Sequence, residues 1–196
     1  WSWAMNDGGA SQVTPIVHDG IMFLSNTANT VQALDAKTGE LIWENRIGPA
    51  PTRAYGATRS LALYGDKILV PTTDAKLYGL DAKTGKIVWQ TEIENGKEGY
   101  SNTGGAITVH GKVLVGLTYC NRYQTKHCFI SAYDVNTGKV VWRFKTVALK
   151  GEPGGDSWGD LPDEFRQRAE TWIAGTYDPE LNTTYWGTAQ AKPWTR

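Results

Sequence analysis

Charge of one sign is what this chain lacks most plainly. Its 20 Lys+Arg meet 20 Asp+Glu, giving a formal net charge of zero over 196 residues. Sequence-nonspecific nucleic-acid binding and polybasic attachment to a membrane surface both need a basic excess, so the balance argues against either. No apolar run approaches the length of a membrane span or a secretory core segment. Several common catalytic and nucleotide-binding signatures are missing too: no Gly-x-Gly-x-x-Gly, Walker loop or His-Glu-x-x-His occurs. His18, His110 and His127 are scattered and read as turn or surface residues. What is abundant is Trp (9), Tyr (9) and Gly (22), the profile of many short strands joined by glycine turns.

A repeat supplies the first positive signal. Ala33-Leu-Asp-Ala-Lys-Thr-Gly-Glu-Leu-Ile-Trp43 returns at Gly79–Trp89 as Gly-Leu-Asp-Ala-Lys-Thr-Gly-Lys-Ile-Val-Trp. It returns again at Ala132–Trp142 as Ala-Tyr-Asp-Val-Asn-Thr-Gly-Lys-Val-Val-Trp, with the tryptophans 46 and 53 residues apart. A decayed fourth copy spans 176–186, keeping Asp178 and Trp186. Each copy reads as a β-hairpin in which a strand ends at the Asp and a tight turn leads into the strand carrying the Trp. Gly39, Gly85 and Gly138 stand where such a turn demands a positive φ, and the Asp and Thr side chains can bond the turn amides. Further strands are expected at 21–24, 67–70 and 112–116, each after a glycine-bearing turn.

A unit of about four short strands in roughly 45–50 residues is the size of one propeller blade. The chain is therefore expected to be all-β, with blade-like units centred on 33–43, 79–89, 132–142 and 176–186. The repeated tryptophans are read as packing residues between neighbouring blades. Propellers typically close with about 4–8 blades. Three clear units and part of a fourth thus read as a portion of a larger ring over residues 1–196.

Two inserts interrupt the pattern. Cys120 and Cys128 flank a seven-residue segment and could form a disulfide, which would imply an oxidising compartment. Free buried thiols and a Cys/His metal site with His127 remain alternatives at this level, although the spacing is unlike that of zinc sites. Residues 149–172 form a Gly/Pro/acid loop. A short helix is expected over 161–169, with Asp160 as N-cap and Pro162 in its first turn. Glu152, Asp156, Asp160, Asp163 and Glu164 match no EF-hand spacing and read as a solvated face. Asn182-Thr-Thr matches a glycosylation sequon, which means little without a eukaryotic secretory context.

The repeated Trp motif, Gly154-Gly-Asp-Ser-Trp-Gly159 and Tyr177-Asp-Pro-Glu-Leu-Asn followed by Tyr185-Trp-Gly-Thr-Ala and Pro193-Trp together resemble the pyrroloquinoline quinone (PQQ)-dependent alcohol dehydrogenases. The resemblance runs over essentially the whole chain. It implies an eight-bladed propeller in the bacterial periplasm, with PQQ on the axis beside a calcium or lanthanide ion. It also implies an alcohol substrate, a cytochrome c or other electron acceptor, and a catalytic aspartate supplied from beyond Arg196. By the same resemblance, the tryptophan that stacks on the quinone falls on Trp172 and the arginine at its oxygens on Arg59. Polar cofactor contacts fall on Thr103 and on the run Thr118, Tyr119 and Cys120. The metal-binding glutamate falls on Asn121 and the metal-binding asparagine on Gln190; both keep an oxygen donor, but Asn121 removes a negative charge. The family's vicinal cysteine pair is absent from the matching region, Arg53-Ala54-Tyr55. By this placement a Cys120–Cys128 bridge beside the metal position would border the cofactor instead. Two other readings compete: a non-catalytic scaffold propeller of the same superfamily, such as an outer-membrane assembly lipoprotein, and a degenerate quinoprotein with a weakened metal site.

Overall fold

The structure is a computed structural model that describes residues 1–5, 11–26, 28–49, 59–120 and 127–192. Among these residues the chain forms three four-stranded antiparallel sheets and two two-stranded pairs, with no α-helix. The first sheet contains β1 (Ile16–His18), β2 (Ile21–Ser25), β3 (Thr30–Asp35) and β4 (Leu41–Arg46) in sequence order. The second contains β5 (Ala62–Tyr64), β6 (Lys67–Pro71), β7 (Lys76–Asp81) and β8 (Ile87–Glu92). The third contains β9 (Ala106–Val109), β10 (Lys112–Val115), β11 (Phe129–Asp134) and β12 (Val140–Lys145). Then follow β13 (Gln167–Arg168), β14 (Thr176–Asp178), β15 (Thr183–Tyr185) and β16 (Ala191–Lys192), paired as β13–β16 and β14–β15. Each four-stranded sheet is one blade, and the chain is part of an all-β propeller.

The repeated motif makes the hairpin between the third and fourth strands of each blade. Asp35 Oδ1 accepts from the Lys37 and Thr38 N–H groups, and Asp81 and Asp134 repeat the arrangement. All three carboxyls sit below the usual aspartate range: the Thr84 and Thr137 hydroxyls, donating to Asp81 and Asp134, and then the turn amides favour the ionised form there, and the Thr38 amide leads at Asp35. Gly39, Gly85 and Gly138 have φ of 78°, 69° and 68°, the left-handed conformation the turn requires. Register shifts after Ala33, Gly79 and Ala132 put a bulge at the same place in every blade.

The tryptophans join neighbouring blades. Trp43 Nε1–H donates to the Ala82 carbonyl (2.9 Å), and a Cβ on Gly85 would run into its ring. Trp89 does the same with the Val135 carbonyl (2.9 Å) and Gly138. Trp1, which no local motif marks, occupies the equivalent seat on the first blade, donating to Ala36 O (3.3 Å) and lying against Gly39. Strand alternation feeds two cores. Ile68, Val70, Tyr78 and Leu80 face Phe23, Val31 and Trp43 of the first blade, whereas Leu69 and Leu77 face Val113, Val115 and Tyr133 of the third.

The hairpin expected at 176–186 forms, with Asp178 Oδ1 accepting from the Glu180 and Leu181 N–H groups. Its position differs from that of the other three: β14 lies beside β9, and β9 beside β5, so it joins a row of first strands. Trp142 is accordingly 38% exposed and lines a cleft of about 390 Å³ with Phe144, Thr184 and Trp186.

The helix expected over 161–169 does not form. A single 3-10 turn, Asp163–Phe165, follows Pro162, and Asp160 caps nothing among the described residues. The cause is Arg166, which is fully buried and donates to the carbonyls of Leu161, Ala148, Gly155 and Gly159. A helical 161–169 would keep the Leu161 carbonyl within its own ladder; here the insert wraps around the guanidinium instead. Arg168 and Ala169 then take positive φ of 72° and 55°, which breaks any helical path. The acids are less uniformly solvated than expected: Glu152 pairs with Lys145 and accepts from Leu149 N–H, and Asp163 accepts from Lys150 N–H.

Candidate functional site

Trp172 lies on the irregular run between β13 and β14, with 45% of its surface exposed. Its predecessor Thr171 is fully buried and fixes the run to the third blade. The Thr171 N–H donates to Leu117 O (3.2 Å), and its Oγ1 accepts from Leu117 N–H (3.0 Å). Glycine is required on both sides of this anchor. A Cβ on Gly116 would strike Thr171 Oγ1, and one on Gly104 would press against Thr171 O and Ile173 N at 3.0 and 3.3 Å.

The 101–105 run is shaped by Asn102, a buried side chain with three partners. Its Nδ2 donates to Gly116 O (2.7 Å), and its Oδ1 accepts from Gly104 N–H (3.1 Å) and Gly105 N–H (3.2 Å). This Asx-type turn aims the Thr103 carbonyl at Arg59, whose Nη1 donates to it at 3.1 Å. The same guanidinium lies over the Trp172 ring, 4.9 Å from its centroid, a cation–π contact. Residues 59, 103 and 172, from three separate stretches of chain, thus meet at one place.

Thr118, Tyr119 and Cys120 follow the Gly116–Leu117 stretch that supports this cluster. Thr118 is buried, its Oγ1 donating to Ser101 O (2.8 Å), and the two residues also form an isolated β-bridge. Tyr119 has φ of 61° and is exposed. Cys120 is buried and bonded to Cys128, with a Cα–Cα distance of 5.4 Å, so the disulfide alternative holds over free thiols or metal ligation. Gln190 is exposed, next to Ala189, whose N–H donates to Glu170 O (2.8 Å). Asn121 and the Arg53–Tyr55 stretch lie outside the described residues. Among the described residues no three His, Cys, Asp or Glu side chains gather as a metal site. Sequence reading missed Asn102 and Thr171. An Asn two residues before a Gly-Gly pair is a turn signal, but nothing local links it to residue 171.

Of the three histidines, His127 departs from the surface expectation. It is half-buried, and burial together with the nearby Lys145 holds its imidazole below the ordinary histidine range.

The model of the PQQ-using glucose/ethanol/alcohol dehydrogenase β-propeller domain matches residues 1–194. The chain belongs to the PQQ-dependent alcohol dehydrogenase family. The quinohemoprotein alcohol dehydrogenase ADH IIB of Pseudomonas putida is 35% identical over 218 residues, a match covering all of this chain and 30% of that protein. The solved structure of quinohemoprotein alcohol dehydrogenase ADHIIG from Pseudomonas putida HK5 superposes with a TM-score of 0.80 at 30% identity, over 95% of this chain and 29% of that one. A europium-containing methanol dehydrogenase gives a TM-score of 0.73 at 26% identity, over 95% of this chain and 37% of that one. The chain therefore spans about a third of the length of these family members.

The cluster suits the cofactor of this family. Trp172 presents a flat aromatic surface that is only half covered, and Arg59 sets a permanent cation against it. A planar, carboxylated quinone could stack on the one and pair with the other.

Proposed function

We propose that this chain forms one side of the cofactor site of a periplasmic PQQ-dependent alcohol dehydrogenase. The observation that carries the proposal is the meeting of Arg59, Thr103 and Trp172. When bound, PQQ supplies the two-electron acceptor for hydride from an alcohol. Trp172 provides the stacking floor, which orients a flat ligand without demanding hydrogen bonds from it. Arg59 balances the negative charge of a carboxylated or reduced quinone, and its anchor on the Thr103 carbonyl holds it in place beforehand. The long run carrying Tyr119 and Cys120 borders the site, and the buried disulfide supports an oxidising compartment. Asn121 and Gln190 contribute neutral oxygen donors to a Ca²⁺ or lanthanide ion, weakly enough that other parts of the protein must supply its negative ligands. The catalytic base and the docking site for a cytochrome c or other acceptor also come from the rest of the protein. Family membership and the Arg59–Trp172 contact favour this reading over a scaffold propeller.

Calorimetric titration of the full-length protein with PQQ, with and without calcium, tests it. Tight, calcium-dependent binding that Trp172→Ala abolishes is the expected result. Equal affinity in wild type and Trp172→Ala would overturn the stacking role, and no binding by the folded wild type would return the scaffold reading to first place.

A further inference from the structure

The two groups that meet at the site are both linked to one buried amide, that of Asn102. Arg59 is held by the carbonyl of Thr103, directly after Asn102. Ser60, directly after Arg59, is wedged against Gly105, where an added Cβ would strike its side chain, and Asn102 Oδ1 accepts the Gly105 N–H. On the other side, Trp172 follows Thr171. Thr171 rests on Gly104 and Gly116, whose N–H and carbonyl respectively bond Asn102. The three Asn102 bonds are buried, and the three glycine contacts leave little room for sliding. Interiors packed this way transmit a displacement instead of absorbing it.

We propose that Asn102 is the positioning residue of this site: its amide sets the spacing between the Arg59 guanidinium and the Trp172 indole. The inference rests on the cofactor reading for its functional meaning, but the positioning itself is a property of the protein alone. Asn102 touches neither group. Its Nδ2–H on Gly116 O acts on the Trp172 side, its Oδ1 on Gly105 N–H acts on the Arg59 side, and its Oδ1 on Gly104 N–H joins the two. Leucine of similar size would satisfy none of these bonds. Aspartate keeps the Oδ1 acceptor but sets a second carboxylate oxygen against the Gly116 carbonyl, so it pushes the indole side away while leaving the turn bonds in place.

The test uses the full-length protein labelled with 5-fluorotryptophan, with the Trp172 resonance assigned through Trp172→Phe. Asn102→Asp should shift that resonance in the cofactor-free protein, as should Arg59→Lys, while the Trp43 and Trp89 resonances stay in place. PQQ binding to Asn102→Asp should weaken by about tenfold or more, the effect of one buried hydrogen bond replaced by two opposed oxygens. In an Arg59→Ala background the further effect of Asn102→Asp should shrink below about twofold, because one of the two groups it aligns is gone. An unmoved Trp172 resonance overturns the proposal whether or not PQQ binds. A full tenfold effect persisting without the arginine also overturns it, since general destabilisation would be additive. A shifted resonance in a wild-type protein that binds no PQQ upholds the positioning and sinks the cofactor reading instead.

Discussion

Replacing Trp43 by alanine should cost far more than the same change at Trp142, although the two occupy the same place in the repeat. Trp43 is 9% exposed, packs 6.1 Å from the Phe23 ring, lies over Gly85 of the next blade and donates to the Ala82 carbonyl. Truncating a buried tryptophan removes about 3–5 kcal/mol. The abandoned carbonyl adds roughly 1 kcal/mol unless water reaches it. Trp142 is 38% exposed and borders an open cleft. Its truncation should cost only about 1–2 kcal/mol, because much of its apolar surface already meets water. Urea unfolding of the full-length protein, followed by near-ultraviolet circular dichroism at matched m-values, reads the difference. Trp43→Phe should fall between, keeping the ring and losing the N–H. Equal losses at 43 and 142, with Trp142 quenched by iodide far more readily than Trp43, would refute the reasoning that docking on the next blade, and not the motif itself, supplies the stability. Equal losses with Trp142 as shielded from iodide as Trp43 would instead mean that the rest of the ring covers Trp142 as the second blade covers Trp43.

Two further predictions concern the third blade. His127 has a depressed pKa in the folded state, so the unfolded chain takes up its proton at higher pH. Its contribution to stability is complete above the ordinary histidine pKa and is lost as pH falls through the depressed one. The drop in urea midpoint from pH 7.5 to 5 should therefore be smaller in His127→Gln than in wild type; an unchanged drop would remove His127 from the account. The Cys120–Cys128 bridge, with a sequence separation of 8, should contribute about 2.5 kcal/mol by loop-closure entropy. The paired Cys120→Ser and Cys128→Ser substitutions should lower stability by that amount. Two reactive thiols in denatured, unreduced protein would contradict the bridge and the oxidising compartment with it.

The blade hairpins were legible in the sequence because their chemistry is local. An Asp that bonds two amides, a Thr that supports it and a Gly at positive φ lie within five residues, so no distant partner decides the turn. The blade-to-blade seat of Trp43 and Trp89 followed from the same repeat. Trp1 did not, since its partner Ala36 is 35 residues away and nothing around Trp1 repeats. The site itself was legible only through family resemblance. Arg59 and Trp172 are far apart in sequence, and their meeting depends on Asn102 and Thr171, whose bonds reach Gly116 and Leu117 across strands.

The misread helix at 161–169 shows why local signals fail where a buried charge intervenes. Asp160, Pro162 and the acids after it form a sound helix start by propensity, worth a few tenths of a kcal/mol per residue. Arg166 overrides that sum. A buried guanidinium left without partners costs several kcal/mol, so the chain around it must deliver acceptors. A helix can deliver few, because its carbonyls already serve its own ladder. The insert instead opens into turns that bring the carbonyls of Ala148, Gly155, Gly159 and Leu161 to one point, with Asp163 at 3.4 Å and Trp158 alongside. The glycines of Gly154-Gly-Asp-Ser-Trp-Gly159 belong to that wrapping: Gly155 has no space for a Cβ beside the Leu149 carbonyl, and Gly154 and Gly159 take positive φ. The motif that carries much of the family resemblance is therefore explained by what one arginine needs, and it leads the chain out of the third blade toward Thr171 and Trp172.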